Sequence, residues 1–193
     1  MLLPDNLALI CHSETPAPTV RAMEVRVAPG PEGHLTLAYR LTGDLARLRI
    51  PPPQRPAFAD GLWEHTCFEV FIAAATSPAY REFNFSPSGQ WATYAFSGYR
   101  KRVEAAGSPA LAISPQIAVR RLADRLELDA IIAPDSLPAN PDRATLQLAL
   151  SSVVEAADGS RSYWALRHTM PRPDFHRRDA FALELADPRI TLA

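Results

Sequence analysis

The chain has 193 residues, of which 47% are hydrophobic and 21% are charged, and its formal net charge is −1. This length and apolar content predict one folded domain over residues 1–193 and exclude a disordered chain. No apolar run reaches the roughly 18 residues of a membrane helix, so no membrane partner is expected. The near-neutral charge disfavours nucleic-acid binding, which requires a basic surface.

The N-terminal residues and the cysteines bear on the compartment. The first residues carry no basic stretch, and Pro4 and Asp5 interrupt their apolar run, so a secretory signal is not expected. Cys11 and Cys67 lie far apart and belong to no CxxC motif, so they are expected to be reduced thiols rather than a disulfide framework. A cytoplasmic location is the resulting expectation.

Alternation of apolar and polar residues dominates the sequence and predicts about ten or eleven short β-strands. In chain order, the predicted strands lie around residues 25–27, 35–41, 67–72, 80–85, 91–96, 117–119, 126–132, 146–150, 163–166 and 181–185. No helical period is sustained between them. The pattern therefore favours an all-β fold, a single antiparallel β-sandwich, over alternating strands and helices.

Glycine, proline and polar residues mark the connections between these strands. Residues 86–89, 123–124 and 158–159 are predicted turns. The proline-rich stretch 51–56 cannot be a central strand, because proline donates no ladder hydrogen bond, so it is predicted to cross the surface. Longer loops are predicted over residues 97–115 and 134–141.

Two segments, 62–72 and 80–91, mix aromatic with charged residues on predicted strands. Alternation assigns one face to apolar side chains, namely Phe68, Val70, Ile72, Phe83 and Phe85. The opposite face then presents Glu69, Glu82 and Asn84, which need partners. If a ligand lies on that face, carboxylate and amide groups can bind its hydroxyls while an indole covers an apolar ring face.

These two segments resemble DOMON-like domains related to the family 9 carbohydrate-binding modules. The resemblance rests on a tryptophan just before a Val/Phe-rich strand with a mid-strand acid, as in Trp63–Ile72, and on a strand ending in Asn-x-x-Pro-x-Gly, as in residues 80–89. The aromatic stretch 163–166 falls where a late strand is expected. The resemblance implies a β-sandwich whose concave face or rim binds a sugar or, in other branches, a heme.

In the sugar-binding branch, two tryptophans enclose a terminal sugar while an acid and an arginine bind its hydroxyls. By motif, Trp63 and Glu69 match one tryptophan and the acid, and Arg81 matches the arginine. Trp164 corresponds to the second tryptophan by its place in the strand order. Together with Asn84, these residues form the predicted ligand-binding set.

A structural interpretation of the same residues stays open. Large aromatic residues usually pack in a core, so Trp91 and Trp164 are also candidates for packing. Glu69 is also a candidate for an ion pair with an arginine across the sheet. Trp63 follows the polar pair Asp60-Gly61 and is expected to be the most exposed of the three tryptophans.

Residues 167–179 form a loop rich in arginine and histidine. Arginine binds carboxylates and phosphates through paired hydrogen bonds, which makes this loop a candidate anion site. The candidate residues are Arg167, His168, Arg172 and His176. Alternatively, the arginines pair with Asp174 and Asp179 on a solvated loop. The spacing matches no established zinc pattern, so no metal site is expected.

The sequence contains no GxSxG, HExxH, P-loop or GxGxxG motif. The predicted function is therefore a non-enzymatic ligand-binding domain, for a saccharide or a related small polar ligand. A glycan hydrolase remains an alternative, because Glu69 and Glu82 lie on strands that are expected to be neighbours.

Two further alternatives are a protein-interaction module and a heme-binding domain. Heme requires axial ligands, and the Met/His pairs that could serve are Met23 with His168 or Met170 with His12. No segment singles out one of these pairs, so no cofactor is expected unless the heme alternative holds.

Overall fold

The structure is a computed structural model that describes residues 6–103, 113–142 and 145–192. Its twelve strands are β1 (Leu7–Ala8), β2 (Ile10–Cys11), β3 (Val20–Pro29), β4 (Leu35–Gly43), β5 (Cys67–Ala74), β6 (Tyr80–Phe85), β7 (Trp91–Phe96), β8 (Gln116–Arg121), β9 (Arg125–Ile132), β10 (Leu146–Glu155), β11 (Arg161–Ala165) and β12 (Leu183–Leu185). Short 3-10 helices span Pro31–Gly33, Leu45–Arg47, Leu62–Glu64, Pro134–Ser136, Arg178–Ala180 and Pro188–Leu192. None of the helices in the described ranges is long and apolar enough to cross a membrane.

The strands form two antiparallel sheets. The five-stranded sheet has the order β1-β3-β4-β9-β8, and the seven-stranded sheet has the order β2-β11-β10-β5-β6-β7, with β12 paired to β10. Every pairing between these strands is antiparallel. The predicted all-β, antiparallel β-sandwich is therefore confirmed.

Alternating side chains of both sheets form the core between them. The seven-stranded sheet contributes Phe68, Val70, Ile72, Phe83 and Phe85 from β5 and β6. These are the apolar residues that the sequence assigns to one face. The five-stranded sheet meets them with the equally alternating set Leu35, Leu37, Tyr39 and Leu41 from β4. Burial of these side chains is the main stabilisation of the sandwich.

All ten predicted strand regions contain a strand, but three details differ. Strands β1 and β2 have two residues each, too few for an alternating pattern to reveal them. Strand β10 continues to Glu155, beyond the predicted end at residue 150. Phe181 lies outside β12, because the preceding residues 178–180 form a 3-10 helix.

The predicted connections are present where the structure describes them. Residues 86–89 form the turn between β6 and β7, in which the Ser86 amide donates to the Gln90 carbonyl at 2.9 Å. Gly89 has a φ of 87°, a conformation that glycine adopts without steric cost. Residues 51–56 contain no strand. Residues 104–112 of the predicted loop 97–115 lie outside the described residues.

The outer face of the seven-stranded sheet carries a second apolar cluster. It consists of Phe71, Ala73, Tyr80, Ala92, Tyr94, Phe96, Ala149 and Phe181, with Leu62 and Phe175 packed against them. The segments around residues 62–64, 97–103 and 173–181 supply its cover. These segments enclose space above the sheet, and that space forms the candidate site.

Candidate ligand-binding site

A pocket of about 390 Å³ lies on the outer face of the seven-stranded sheet. Its carboxyl groups come from Glu69, Glu82 and Asp174, and its guanidinium groups from Arg100, Arg102 and Arg161. Its aromatic lining is Trp63, Phe71, Tyr94, Phe96, Tyr163 and Phe175, joined by His176. A volume of this order is within the usual range for small-molecule sites.

Glu69 and Glu82 form the floor of the pocket. Glu69 pairs with Asn84 in the β5–β6 register, and Glu82 lies two residues earlier on β6, so all three side chains share the outer face. The Asn84 amide donates to Glu82 Oε1 at 2.8 Å. Glu69 is 2% exposed, and its Oε1 has no hydrogen-bond partner. A buried acceptor without a partner is costly, and this one lines a pocket.

Burial changes the protonation of both floor residues. It raises the pKa of Glu69 well above its ordinary value, and the nearby charge of Glu82 raises it further, although the hydroxyl of its cross-strand neighbour Ser151 acts in the opposite direction. Burial also raises the pKa of Glu82 to about 7, although the Asn84 hydrogen bond and the charges of Arg100 and Arg102 act in the opposite direction. Glu69 therefore holds a proton, and with it the ability to donate a hydrogen bond, more readily than an exposed glutamate does, and Glu82 is close to half ionised near pH 7.

Trp63 lies at the mouth of the pocket on the 3-10 helix Leu62–Glu64. Gly61, with a φ of 75°, provides the left-handed turn that begins this helix. The indole is 38% exposed and meets the Tyr94 ring edge-on, with centroids 5.5 Å apart. The Tyr94 hydroxyl donates to Asp60 Oδ1 at 2.5 Å, which holds the ring below Trp63. An exposed indole fixed by its neighbours can stack on an apolar ring face of a ligand.

Hydrogen bonds to Asp174 join the two loops that form one wall. The Tyr99 hydroxyl donates to Asp174 Oδ2 at 2.6 Å, and Arg100 Nη2 donates to Oδ1 at 2.8 Å. The Arg100 amide also donates to the Tyr80 hydroxyl at 3.1 Å. Arg100 has a φ of 54°, an uncommon conformation for a residue other than glycine. These contacts keep residues 97–103 against the arginine- and histidine-rich loop.

His176 closes the same wall above Glu82. Its Nδ1 lies 2.9 Å from the Tyr80 hydroxyl, and its Nε2 lies 3.8 Å from Glu82 Oε2. The Tyr80 hydroxyl also accepts from the Arg100 amide, and the direction of its hydrogen bond with Nδ1 depends on the tautomer of the imidazole. Burial, followed by the Arg100 charge, lowers the pKa of His176 to about 4. The imidazole is therefore neutral near pH 7, and its Nε2 faces the floor carboxyl.

Comparisons with known proteins relate this fold to carbohydrate-binding modules. A candidate carbohydrate-binding protein from Bacteroides uniformis ATCC 8492 superposes with a TM-score of 0.65 at 16% sequence identity, covering 90% of this chain and 82% of that chain. A family 9 carbohydrate-binding module from Caldicellulosiruptor kristjanssonii, solved in complex with glucose, superposes with a TM-score of 0.51 at 10% identity, covering 92% of this chain and 76% of that chain. The protein has a fold related to the family 9 modules. Neither a protein-family model nor a curated protein matches the sequence.

Two residues predicted for the site, Arg81 and Trp164, do not line the pocket of this family 9-like fold. Arg81 shares the inward face of β6 with Phe83, and its Nη1 donates to the Ser136 carbonyl at 2.7 Å. Trp164 packs in the core between the sheets, and its Nε1 donates to Ser162 Oγ at 3.0 Å. A late aromatic strand is present where the sequence predicts one, but neighbouring residues of a strand face opposite sides, so Tyr163 lines the pocket and Trp164 does not.

Trp63 and Glu69 do line the pocket, as the resemblance implies. Asn84 lies beneath the pocket and acts on it through Glu82. Trp91 packs against Phe58 in an edge-on contact and is buried, in line with the packing interpretation. Glu69 forms no ion pair with an arginine among the described residues, so the alternative of a cross-sheet ion pair is wrong.

The candidate anion residues of the arginine- and histidine-rich loop serve different contacts. His176 lines the pocket, whereas Arg172 lines a shallower hollow beside it. Arg167 Nη1 donates to the Asp179 carbonyl at 3.4 Å, and His168 Nε2 lies 2.8 Å from the Ile10 carbonyl. Since these two side chains bind backbone carbonyls, the four residues do not form one anion site.

Several pocket residues were not predicted from the sequence. Tyr163 takes the pocket position expected of its neighbour Trp164, and Tyr94 was assigned only to a strand. Arg100 and Arg102 fall in a stretch treated as a featureless loop. Tyr94 pairs with Glu82 on the neighbouring strand and therefore shares the outer face with Glu82 and Glu69, so the alternation within these strands could have placed it in the pocket. For the loop arginines the sequence contains no comparable signal.

Two of the residues proposed for heme ligation, Met23 and His12, have other contacts in the structure. Met23 is 1% exposed in the core between the sheets. His12 Nδ1 accepts from the Glu14 amide, and its Nε2 lies 3.1 Å from the Met170 carbonyl, so both ring nitrogens already have partners. Within the described ranges, no group of three His, Cys, Asp or Glu residues is arranged to hold a metal ion.

Proposed function

We propose that this protein binds a saccharide in the pocket on the outer face of its seven-stranded sheet. The observation that carries the proposal is Glu69, a buried carboxyl group whose Oε1 has no partner and which lines a pocket beneath an exposed indole. A sugar hydroxyl would satisfy this atom, and its apolar ring face would cover Trp63. The complex of the related C. kristjanssonii module with glucose supports this ligand class.

Each group of the pocket has a defined task in this proposal. Trp63 provides the stacking surface, and Tyr163 provides a second aromatic surface in the place predicted for Trp164. Glu69, whose pKa is raised, accepts hydrogen bonds and also donates one when it carries its proton, which suits a hydroxyl group. Glu82, held by Asn84, contributes a second carboxyl at the floor. The proposed activity is binding, without a chemical step.

Tryptophan fluorescence tests the proposal directly, because Trp91 and Trp164 are buried and do not line the pocket. We expect a neutral or acidic monosaccharide from a defined panel to change the emission of the parent protein. Trp63→Ala should abolish binding measured by calorimetry while the circular dichroism spectrum stays unchanged. The matched control is Leu122→Ala, which truncates an equally exposed side chain outside the pocket. Equal affinities of Trp63→Ala and parent would remove Trp63 from the site.

Glu69→Leu separates binding from folding. The change removes the hydrogen-bonding group and also removes a carboxyl that is costly to bury, so stability should be retained or increased. Affinity for the saccharide should fall by roughly tenfold to a hundredfold, as expected when hydrogen bonds to a ligand are lost. A variant that binds as tightly as the parent would contradict the role given to Glu69. Failure of every sugar in the panel to shift fluorescence or melting temperature would contradict saccharide binding itself.

The two floor carboxyls favour a second candidate function, glycoside hydrolysis. Glycosidases use a pair of carboxyl groups, one of which stays protonated to serve as the acid. Glu69 and Glu82 lie on neighbouring strands, and the pKa of each is raised. Turnover of a chromogenic glycoside by the parent, lost in Glu69→Gln and in Glu82→Gln, would support hydrolysis. If the parent protein bound the glycoside without turning it over, hydrolysis would be contradicted and only the binding function would be supported.

A further inference from the structure

Two arginines at the pocket mouth have no carboxylate partner in the part of the chain that the structure describes. Arg100, Arg102 and Arg161 all line the pocket and are exposed. Arg100 is neutralised by Asp174, with its Nη2 2.8 Å from Oδ1. Neither Arg102 nor Arg161 takes part in any ion pair formed by the described residues. Their charges therefore remain available to a ligand.

Both unpaired guanidinium groups are held beside Trp63. The Arg102 Cζ atom lies 4.2 Å from the centroid of Tyr94, the same ring that meets the Trp63 indole. Arg161 Nη1 donates to the carbonyl of Glu64, the residue after Trp63, at 3.4 Å. A substituent on a ring stacked against the indole would therefore come within reach of both groups.

The backbone of Arg102 is also fixed. It forms an antiparallel bridge with Phe96, and the next residue, Val103, donates its amide to the Ala95 carbonyl at 2.8 Å. A guanidinium group held over an aromatic ring on an anchored backbone loses little freedom when it binds an anion. Arg102 is thus prepared for binding before a ligand arrives.

The floor of the pocket does not cancel these charges. Burial and the proximity of Glu82 raise the pKa of Glu69 well above its ordinary value, and burial raises the pKa of Glu82 to about 7. The Asp174 charge is balanced by Arg100. Both shifts reduce the negative charge of the floor, while Arg102 and Arg161 contribute positive charge at the mouth. That distribution attracts a ligand with hydroxyls at one end and an anionic group at the other.

We propose that the saccharide is anionic, with its carboxylate or phosphate substituent bound by Arg102 and Arg161 while its ring covers Trp63. The inference rests on the proposed saccharide-binding function and narrows its substrate class. Hexuronic acids and sugar phosphates share the required chemistry. Arginine suits either group because its planar guanidinium donates paired hydrogen bonds.

Calorimetric titration with D-glucose, D-glucuronate and D-glucose 6-phosphate tests the inference on the parent and on Arg102→Gln, Arg161→Gln and the double variant. We expect the parent to bind at least one anionic sugar roughly tenfold or more tightly than glucose. Each single substitution should lower the affinity for that sugar roughly tenfold and leave the affinity for glucose nearly unchanged. Comparison of the affinities for D-glucuronate and D-glucose 6-phosphate shows whether the arginines prefer a carboxylate or a phosphate substituent.

Two controls accompany the titrations. Arg26→Gln removes the same charge from an exposed position on the five-stranded sheet and should change no affinity. Raising the salt concentration from about 50 to about 500 mM should weaken binding of the anionic sugar and leave glucose binding unaffected, since salt screens charge interactions. Acetate and inorganic phosphate report whether the anion alone suffices, and they should bind much more weakly than the sugars.

The outcomes separate the inference from the function on which it rests. Binding of glucose as tight as that of both anionic sugars, with sensitivity to Trp63→Ala, would overturn the inference and support saccharide binding. An unchanged affinity of the double variant for the anionic sugar would also overturn it. Acetate or inorganic phosphate binding as tightly as the sugars would contradict both proposals. Both would also be contradicted if none of the three sugars bound.

Discussion

Glu127 and the floor pair Glu69 and Glu82, which lie on the outer faces of the two sheets, have different surroundings. On the five-stranded sheet, Glu127 is surrounded by guanidinium groups, with Arg40 Nε at 3.4 Å, Arg120 Nη2 at 3.1 Å and Arg125 Nε at 3.3 Å. On the seven-stranded sheet, Glu69 and Glu82 are buried beneath loops and form no ion pair with arginine among the described residues. The first arrangement is complete without a ligand, whereas the second leaves hydrogen-bonding capacity unused.

This difference gives a physical criterion for separating structural charges from binding charges in such a fold. Exposed ion pairs contribute little to stability and leave no free donor or acceptor. Buried carboxyls without cationic partners cost stability, so the chain retains them at the expense of folding. Because these carboxyls lie in a pocket, we infer that the stability they cost serves ligand binding.

The largest effect is expected on the inner face of the seven-stranded sheet. Phe68 is fully buried in the core between the sheets and packs against Tyr39 with ring centroids 5.0 Å apart. Phe68→Ala should lower the free energy of unfolding by about 3–5 kcal/mol, because it leaves a cavity in a packed core. Urea denaturation measures this loss. A loss no greater than that of Glu69→Leu, the adjacent residue on the outer face, would contradict the division between the two faces.

Glu82→Gln should make stability less sensitive to pH. The folded-state pKa of Glu82, about 7, exceeds its ordinary value of 4.5, so its contribution is fully favourable below about pH 4.5 and is lost as the pH rises through 7. At about 1.36 kcal/mol for each pH unit, the variant should gain about 3 kcal/mol relative to the parent above pH 7. The titration of His176 is common to both proteins and largely cancels in the comparison.

Urea denaturation of parent and Glu82→Gln between about pH 4.5 and pH 8 measures this difference. The Gln side chain keeps the Oε1 acceptor for Asn84, so the fold should be preserved. Parallel stability curves for the two proteins would show that Glu82 is ionised normally in the folded state. In that case the contrast with Glu127 would lose its electrostatic basis.

Trp63→Ala should have a smaller effect on stability. The side chain is 38% exposed and touches the protein mainly through Tyr94, so truncation should cost about 1–2 kcal/mol. Thermal and urea unfolding of the variant would measure this cost. A loss as large as that of Phe68→Ala would identify Trp63 as a core residue and weaken its assignment to ligand binding.

Glu127→Gln should produce the smallest change. Its three arginine partners are each about half exposed or more, so the variant should lose about 0.5–1 kcal/mol, and less at high salt. Unfolding at about 50 and about 500 mM salt measures both quantities. A loss of several kcal/mol that is insensitive to salt would show that this face also holds buried charge.

The two-residue alternation predicted much of the fold and the floor of the site. It assigned Phe68 and Phe83 to the core, and Glu69 and Glu82 to the opposite face, because neighbouring residues of a strand point to opposite sides. It did not assign the face of an isolated aromatic pair such as Tyr163-Trp164. Both members are large and amphipathic, so either can be buried. Alternation therefore cannot decide which of the two faces the core.

The walls of the pocket were less predictable because they belong to connections. Arg102 and Asp174 reach the site through loops whose path depends on bridges and hydrogen bonds between distant segments. The alternation of apolar and polar residues in a sequence gives no information about such contacts between loops. The sequence predicted an anion site from the arginines and histidines of residues 167–179. Of its four candidate residues, only His176 lines the pocket.

The pairing of β5 with β10 determines when a pocket can exist at all. These strands bring together segments separated by roughly eighty positions in the chain, and such distant pairings form slowly because a long loop must close first. Glu69 comes from one of these strands, and its cross-strand neighbour Ser151 comes from the other. A nascent or partly unfolded chain therefore presents no floor for a ligand, and ligand capture reports completion of the whole sheet.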